Sequence, residues 1–542
     1  MTNLIKNFFF NFDKNSSWHS YNYGGKYVYF RGYLNNVNAR DFLEKFTHTN
    51  FNDIKNLLNL LDGHFSLICI TNDYAFACVD RIRSYPVLWT KMDNELIVSD
   101  KSKSLLKYCK DIDLYSVKSF SLSGYTIGDK TLYANIKQLK PGNFIWFEDD
   151  EIIEDRYNDW RLFEKTKYNK SFSDLNLVNE NILKKLIKSA NGRQIVVPLS
   201  AGMDSRFIAS GLRHFNYMNV ICVSYGIKNN KDAFVAKEIA EKLNYDWIFI
   251  KYSSSQFSKA FQSEDYKKYV DYCDSLTSIH FAGEYLMLAS LKNNKKINKD
   301  AIFVNGQSGD FISGNHMPNE LVGLDKINKL NDELFYKLYL KKHYKHWKET
   351  NNDENKAIII SLLKKELEGL KEKNNFNYAS AYEYMEFIDR QSKYVINGQR
   401  TYEYFGYDWR LPLWDNDYLN FWANTENKNK INQNLYINTL KKYNWCGVWK
   451  EIDINPKIIS PSWIIPVRFI LKTFFYFFGK KNWYEFERKY LDYFMTTTCC
   501  YGPWPYLKIV FDKRGHDSPI GWIIEHYLNL KNINWKGEPI DK

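Results

Sequence analysis

Residues 194–212 constrain this chain more than any other stretch. Gln194-Ile195-Val196-Val197-Pro198-Leu199 is a short apolar run rich in β-branched side chains, the pattern of a buried strand of a parallel sheet. Arg206-Phe207-Ile208-Ala209-Ser210-Gly211-Leu212 carries its apolar residues at helical spacing. Between them lies Ser200-Ala201-Gly202-Met203-Asp204-Ser205, mostly small and polar, which fits a tight turn. A strand that turns directly into a helix leaves the first helical N–H groups without partners. With the helix dipole, those donors make a phosphate or pyrophosphate site. Asp204 adds a carboxylate able to hold Mg²⁺ against phosphate oxygens. An ordinary crossover capped by Ser or Asp fits the same residues, so the turn alone leaves both readings open.

The surrounding pattern repeats the alternation. Asp174 to Ala190 is an amphipathic helix, with Leu175, Val178, Ile182, Leu183, Leu186 and Ile187 on one face. After the loop helix come a strand at 219–225, a helix at 232–243 and strands at 247–252 and 301–304. Strand and helix in alternation predict a doubly wound parallel sheet. Its ligand is expected beyond the carboxyl ends of the strands. Residues 1–157 read differently. Lys26 to Tyr33 is strand-like, and Phe65–Ile70 and Tyr74–Val79 make a hairpin across Thr71-Asn72-Asp73. Residues 158–172 are polar and linking, and 320–400 are helical and lysine-rich. At 542 residues two or three domains are expected, and the chain is divided as 1–157, 158–445 and 446–542.

Composition narrows the partners. A net charge of +12 fits either an anionic partner or a lysine-rich composition. The lysines are scattered among asparagines, with no basic block or zinc-finger spacing, so no nucleic acid is expected. Cys69, Cys78 and Cys222 lie in apolar runs, Cys499-Cys500 is a vicinal pair, and no C-x-x-C occurs; the set reads as reduced and cytoplasmic. The amino terminus has too short an apolar run for a signal peptide, and no stretch offers the ~20 uncharged apolar residues of a membrane span.

The turn resembles the pyrophosphate-binding loop S-G-G-x-D-S of ATP pyrophosphatases, with Ala201 in place of the first glycine. Further segments follow in the order of the asparagine synthetase family. Asp80 to Leu88 resembles D-R-x-G-x-x-P-L, and Gly124-Tyr125-Thr126-Ile127-Gly128 through Leu139-Lys140-Pro141-Gly142 resembles G-Y-x-x-G…L-x-P-G. Asn305-Gly306-Gln307-Ser308-Gly309-Asp310 resembles S-G-E-G-A-D-E, and Asp408-Trp409-Arg410-Leu411-Pro412-Leu413-Trp414-Asp415 resembles E-x-R-x-P-F-L-D.

The resemblance implies an N-terminal αββα glutaminase-type sandwich followed by an ATP-pyrophosphatase domain. It implies ATP and Mg²⁺ as cofactors. Leu199, Ser200, Ala201, Gly202, Met203, Asp204, Ser205, Ser224 and Gly306 would bind the nucleotide, with Asp204 and Asp310 on the metal. Asp310 as a helix N-cap is the alternative. Asp408 would stand near the acceptor, and Arg410 would either neutralise phosphate or pair with Asp415. Lys457 is matched to the family's late catalytic lysine on a loose alignment, or is one of many surface lysines. The family's nucleophilic cysteine follows Met1; here Thr2 stands there, so an inactive glutaminase domain is expected. The family's two acidic-loop glutamates are Gln307 and Phe311, and Ala201 would weaken phosphate binding if its position required a left-handed backbone.

The implied activity is an ATP-dependent carbon–nitrogen ligase, AMP-forming, joining a small-molecule carboxylate to ammonia or another amine. Aspartate is the family's usual acceptor, and a sugar acid is the variant that the tail suggests. The rival readings are a catalytically silent homologue and a nucleic-acid-modifying pyrophosphatase. Trp463 to Lys481 is aromatic with interspersed cations, which fits either peripheral membrane contact or a docked helix. A homodimer is left open.

Overall fold

The computed structural model describes residues 5–12, 17–160, 167–322, 330–348, 351–373, 375–454 and 459–535. Ten strands build the N-terminal part: β1 (Phe8–Asn11), β2 (His19–Tyr23), β3 (Lys26–Leu34), β4 (Gly63–Ile70), β5 (Tyr74–Val79), β6 (Leu88–Met92), β7 (Glu95–Ser99), β8 (Lys137–Gln138), β9 (Asn143–Glu148) and β10 (Glu151–Arg156). They form a four-stranded sheet, β1-β7-β6-β8, and a six-stranded sheet, β10-β9-β5-β4-β3-β2.

Strand alternation sorts their side chains into three cores. Phe8, Phe10, Leu96 and Val98 meet Ile68, Ala75, Ala77, Val79, Ile145 and Phe147 between the two sheets. The opposite residues of the six-stranded sheet, among them Val28, Leu67, Cys69, Phe76 and Trp146, pack on the helical segment carrying Phe42, Phe46, Ile54 and Leu58. Leu88 and Ile97, facing away on the other sheet, pack against Leu105. Helix, sheet, sheet and helix thus stack as four layers, which is the expected αββα sandwich.

The second part is built on five parallel strands, β11 (Ile195–Pro198), β12 (Val220–Ile227), β13 (Asp246–Tyr252), β14 (Ile302–Val304) and β15 (Asp408–Arg410). Their order is β13-β12-β11-β14-β15. The chain leaves β11 on one side to make β12 and β13, then returns on the other side to make β14. The crevice between β11 and β14 is therefore the topological switch point, where open α/β sheets bind ligands. The last strand, β15, was not among the expected elements. It is only three residues long, below the length at which period-2 patterning registers.

The two parts are joined by buried ion pairs. Arg31 on β3 binds Asp100 at 3.1 Å and reaches Glu403 at 2.6 Å, and Glu403 also holds Arg400 at 2.7 Å. Residues 497–535 are no appendage either. Cys499, Tyr501, Ile509, Trp522 and Tyr527 lie in the same continuous core as β11 and the loop helix. All eight cysteines are free thiols, including the vicinal pair. Among the described residues, no helix is long and apolar enough to cross a membrane.

Candidate functional site

The loop after β11 wraps around its own hydroxyls. The Ser200 amide donates to Ser205 Oγ at 3.1 Å, and the Gly202 amide donates to Ser200 Oγ at 3.1 Å. The Ala201 amide donates to Asp232 Oδ1 at 3.1 Å. Gly202 is the N-cap of the helix Met203–His214 and supplies no side-chain cap. The first-turn N–H groups are therefore left for another acceptor. Ala201 is not among the residues with positive φ, so its methyl meets no backbone strain. The condition under which alanine would weaken the loop is not met. Arg206, fully buried, anchors the loop by donating to the carbonyls of Ala201, Val448, Ile452 and Asp453 at 2.7–3.1 Å.

The loop after β14 lies directly on this one. An added Cβ at Gly306 would come 2.6 Å from the Asp204 carbonyl carbon, and one at Gly309 would come 2.5 Å from Asp204 Oδ1. Glycine at both places lets the two loops touch. The Asp310 amide donates to Asp204 Oδ2 at 3.1 Å, and the Tyr436 hydroxyl donates to Asp204 Oδ1 at 3.1 Å. Burial, and then the neighbouring Asp310, push the Asp204 carboxyl up to about 7. Burial acts the same way on Asp310, but the hydrogen bond and charge of His316 outweigh it and hold that carboxyl below its ordinary value. His316 bridges Asp310 at 3.1 Å and the buried Glu386 at 2.5 Å, and Glu386 also binds Lys342 at 2.9 Å.

These loops border a cavity of about 470 Å³. Leu199, Ser200, Gly202, Met203, Asp204, Ser205, Ser224, Gly306 and Asp310 all line it, whereas Ala201 stays behind the loop. Ser224 is fixed by donating to the Leu199 carbonyl at 2.7 Å. Asp204 and Asp310 suit Mg²⁺, which takes few protein carboxylates and completes its shell with phosphate oxygens. Among the described residues no cationic side chain is paired with Asp204, and its raised pKa is the mark of a buried negative charge that a cation would relieve. Among the described residues no group of three or more His, Cys, Asp or Glu gathers as a metal site.

Two expected catalytic residues are elsewhere. Asp408 is paired in register with Ile302 and so sits at the amino end of the sheet, exposed and bound to Arg193 at 2.7 Å. Arg410 lies over the Tyr33 ring at 3.8 Å and donates to Ser189 Oγ and the Trp409 carbonyl. It lines a small cavity at the seam between the two parts. The expected alternative, an Arg410–Asp415 pair, is not formed, because Asp415 binds Lys185 at 3.0 Å. The segment 408–415 therefore braces the sheet instead of returning to the loops. Phe311, at a position where the family has glutamate, is wholly buried against Trp160, His316 and Trp414. Gln307 accepts from Gln399 at 2.6 Å. Lys457 and Thr2 lie outside the described residues.

Several cavity residues had no motif to announce them. Glu284 lines the cavity, buried, with the Tyr225 and Tyr402 hydroxyls as hydrogen-bonding neighbours, and burial pushes its carboxyl up to about 7. The Tyr402 oxygen accepts from Asn305 Nδ2 at 3.0 Å, which leaves the Tyr402 proton for Glu284. Phe281, Asn230, Asp232 and Gln433 complete the walls. Thr497 and Thr498, from the C-terminal extension, close one side, and the Thr497 carbonyl accepts from the Ile227 amide at 2.9 Å.

A family model described as a glutamine amidotransferase domain matches residues 51–158, and one described as asparagine synthase matches residues 189–443. No curated protein matches the chain. Among solved structures the chain is similar to glutamine phosphoribosylpyrophosphate amidotransferase from B. subtilis, complexed with ADP and GMP, at 10% identity and a TM-score of 0.18. That match covers 53% of this chain, which spans 62% of the other chain's length. A second structure, described as the allosteric regulatory enzyme of purine biosynthesis, is similar at 13% identity and a TM-score of 0.17, over 45% of this chain and 73% of that one. At such scores neither carries an argument. The two family matches, in this order along one chain, give the protein the two-domain architecture of asparagine synthetase-like proteins, here with threonine at position 2.

Proposed function

We propose that the protein is an ATP-dependent amide ligase that activates a carboxylate as an acyl-adenylate. A carboxylate oxygen of the acceptor attacks the α-phosphorus of ATP, and the bond from that phosphorus to the bridging oxygen breaks, releasing pyrophosphate. An amine or ammonia then attacks the acyl carbon, AMP leaves, and the amide remains once the nitrogen has lost a proton. The observation that carries this reading is the contact of the two loops at the switch point, with Asp204 and Asp310 side by side at the start of a helix with an open N-terminus. The first-turn amides of Met203–His214 would hold the departing pyrophosphate, whose charge builds in the transition state. Mg²⁺ held by Asp204 and Asp310 would supply neutralisation of that charge. Glu284 has the surroundings of a group that takes a proton from the attacking nitrogen, since its raised pKa suits a base near neutral pH.

The amine donor is proposed to come from outside the chain, because Thr2 replaces the cysteine that frees ammonia from glutamine. Thr497 and Thr498 from the C-terminal extension wall one side of the cavity, and a sugar acid stands beside aspartate as a candidate acceptor. The test is pyrophosphate release from ATP and Mg²⁺ across a panel of carboxylates with ammonium. Release that Asp204→Ala abolishes supports the reading. No release with any acid, together with no shift of the melting temperature by ATP, refutes it in favour of a silent homologue. Glutamate release that Thr2→Ala removes would overturn the external donor.

A further inference from the structure

Residues 459–495 carry a small core of their own and join the rest of the extension at one end, through Arg488 with Asp517 and through Tyr490 and Phe494 with Tyr506. The helices Ile464–Phe474 and Lys480–Tyr490 fold back on each other through the turn Phe475–Gly479. They share a small core of their own, Ile464, Trp483 and Leu491, with Phe475 packed on Trp483 and Phe486. Arg468 is bound to Glu487 across the hairpin. Little of the apolar surface is used by this core. Phe469 is 75% exposed, Tyr476 82% and Phe477 87%, and Trp463, Ile470, Phe474 and Phe478 are each more than half exposed. The helix Ile464–Phe474 is docked on its partner in the hairpin through Ile464, Leu471 and Phe475, and most of its apolar surface stays exposed.

We propose that this hairpin tip is a membrane-binding element that inserts its aromatic turn among the lipids of an anionic bilayer surface. Two observations choose a lipid surface over a protein partner. The first is the distribution of the exposed residues. Ile465, Val467, Phe469, Ile470 and Phe474 spread over more than half the circumference of the helix at 100° per residue. Tyr476, Phe477 and Phe478 follow one another around the turn. A protein groove covers one side of such a tip, whereas fluid hydrocarbon surrounds it. The second is charge. Between Trp463 and Tyr484 the sequence holds Arg468, Lys472, Lys480 and Lys481 and no acidic residue, and the three lysines are exposed. Lysines around an aromatic tip complement anionic headgroups, and buried apolar area supplies the rest of the affinity. The same extension supplies Thr497 and Thr498 to the cavity wall.

Vesicle flotation of the full chain tests this independently of any ligase activity, with phosphatidylcholine vesicles against vesicles containing about one-third phosphatidylglycerol. The expected result is flotation with the anionic vesicles that falls at high salt. The double substitution Phe477→Glu, Phe478→Glu should lower partitioning by roughly tenfold or more, since it removes the inserted apolar area and adds repulsion. Lys480→Glu with Lys481→Glu should erase the preference for anionic vesicles. Phe477, Lys480 and Lys481 point to solvent and Phe478 rests on Phe474 and Phe475 of the same tip, so far-ultraviolet circular dichroism and melting of the variants should stay close to those of the parent. The proposal is overturned if the parent floats with neither vesicle or if Phe477→Glu, Phe478→Glu floats as the parent does. It is equally overturned if the substitution instead abolishes self-association of a chain that never floats, which would make the tip a contact between copies.

Discussion

Gly306→Ala is the sharpest test of the site, because it adds one methyl where two backbones meet. An ideal Cβ at Gly306 lies 2.6 Å from the Asp204 carbonyl carbon and 2.8 Å from both the Asp204 oxygen and the Ser205 nitrogen. Ordinary contact begins at 3.4 Å, so 3.4 − 2.6 requires the loops to part by about 0.8 Å. No flexible side chain is available to absorb the strain, since all three clashing atoms belong to the backbone. Overpacking of this kind costs about 1–3 kcal/mol. Displacement of the two carboxylates by most of an ångström should lower the rate of pyrophosphate release about 100-fold, the usual penalty for misplacing a reacting group by about 1 Å. Calorimetry should show weaker ATP·Mg²⁺ binding, and thermal unfolding should show the stability loss even if no substrate is found. Gly369→Ala is the control, since its Cβ meets nothing within 4 Å in a helix interior. It should gain about 0.5–1 kcal/mol and leave ATP binding alone. If Gly306→Ala melts with the parent and binds ATP within about twofold of it, the loops are not in contact and the reasoning fails.

Glu284→Gln should leave ATP binding intact but slow amide formation by about 10²–10⁴-fold, with the loss shrinking as the amine is made less basic; an unchanged rate in a single-turnover assay would clear Glu284 of the proton transfer. Glu403→Ala takes from Arg400 its carboxylate and leaves Arg31 with Asp100 alone at the buried seam, which should cost about 3–5 kcal/mol in urea unfolding, and a loss under about 1 kcal/mol would mean the seam is wet. Acid should destabilise the chain through histidines kept neutral by burial: His280 is pushed down to about 3, and His346, His516 and His526 to about 4. Their folded-state pKa values lie below that of an unfolded histidine, so the stability they contribute is complete above about 6.5 and is lost as pH falls towards 4. The slope should reach about 1.4 kcal/mol per pH unit for each such group. Denaturation midpoints that stay flat between pH 6.5 and 4.5 would contradict it.

The strands carrying the loops were legible because β11, buried except for the half-buried Pro198, and β14, wholly buried, read as unbroken apolar runs. The separation of Asp408 from the loops has a geometric origin. A motif can be assigned to a strand without saying at which end each residue falls, and a strand rises about 3.3 Å per residue. Asp408 opens β15, level with Ile302 and Ile195, while the candidate site begins beyond Pro198 at the other end. Three residues are enough to move a carboxylate from one edge of the sheet to the other. Glu284 was hidden for a different reason. It stands in an irregular stretch before the helix Tyr285–Asn293, and its partners Tyr225 and Tyr402 come from distant points in the chain.

The place of the extension in the site was half visible. Gly226, next to last in β12, has φ +135°, and a Cβ there would meet the Thr497 carbonyl oxygen at 2.8 Å. A glycine at the carboxyl end of a buried strand signals that another backbone comes close, but it carries no information about which backbone. Here the visitor is 271 residues further on, since 497 − 226 = 271. The strand end that should border a nucleotide is thus also the place where the tail is tied down, by the Ile227 amide and the space that Gly226 leaves open. A chain that differed from its family only by lost residues would need no such seat. Gly226, Thr497 and Thr498 make sense together as a cavity whose wall has been rebuilt from the carboxyl-terminal end.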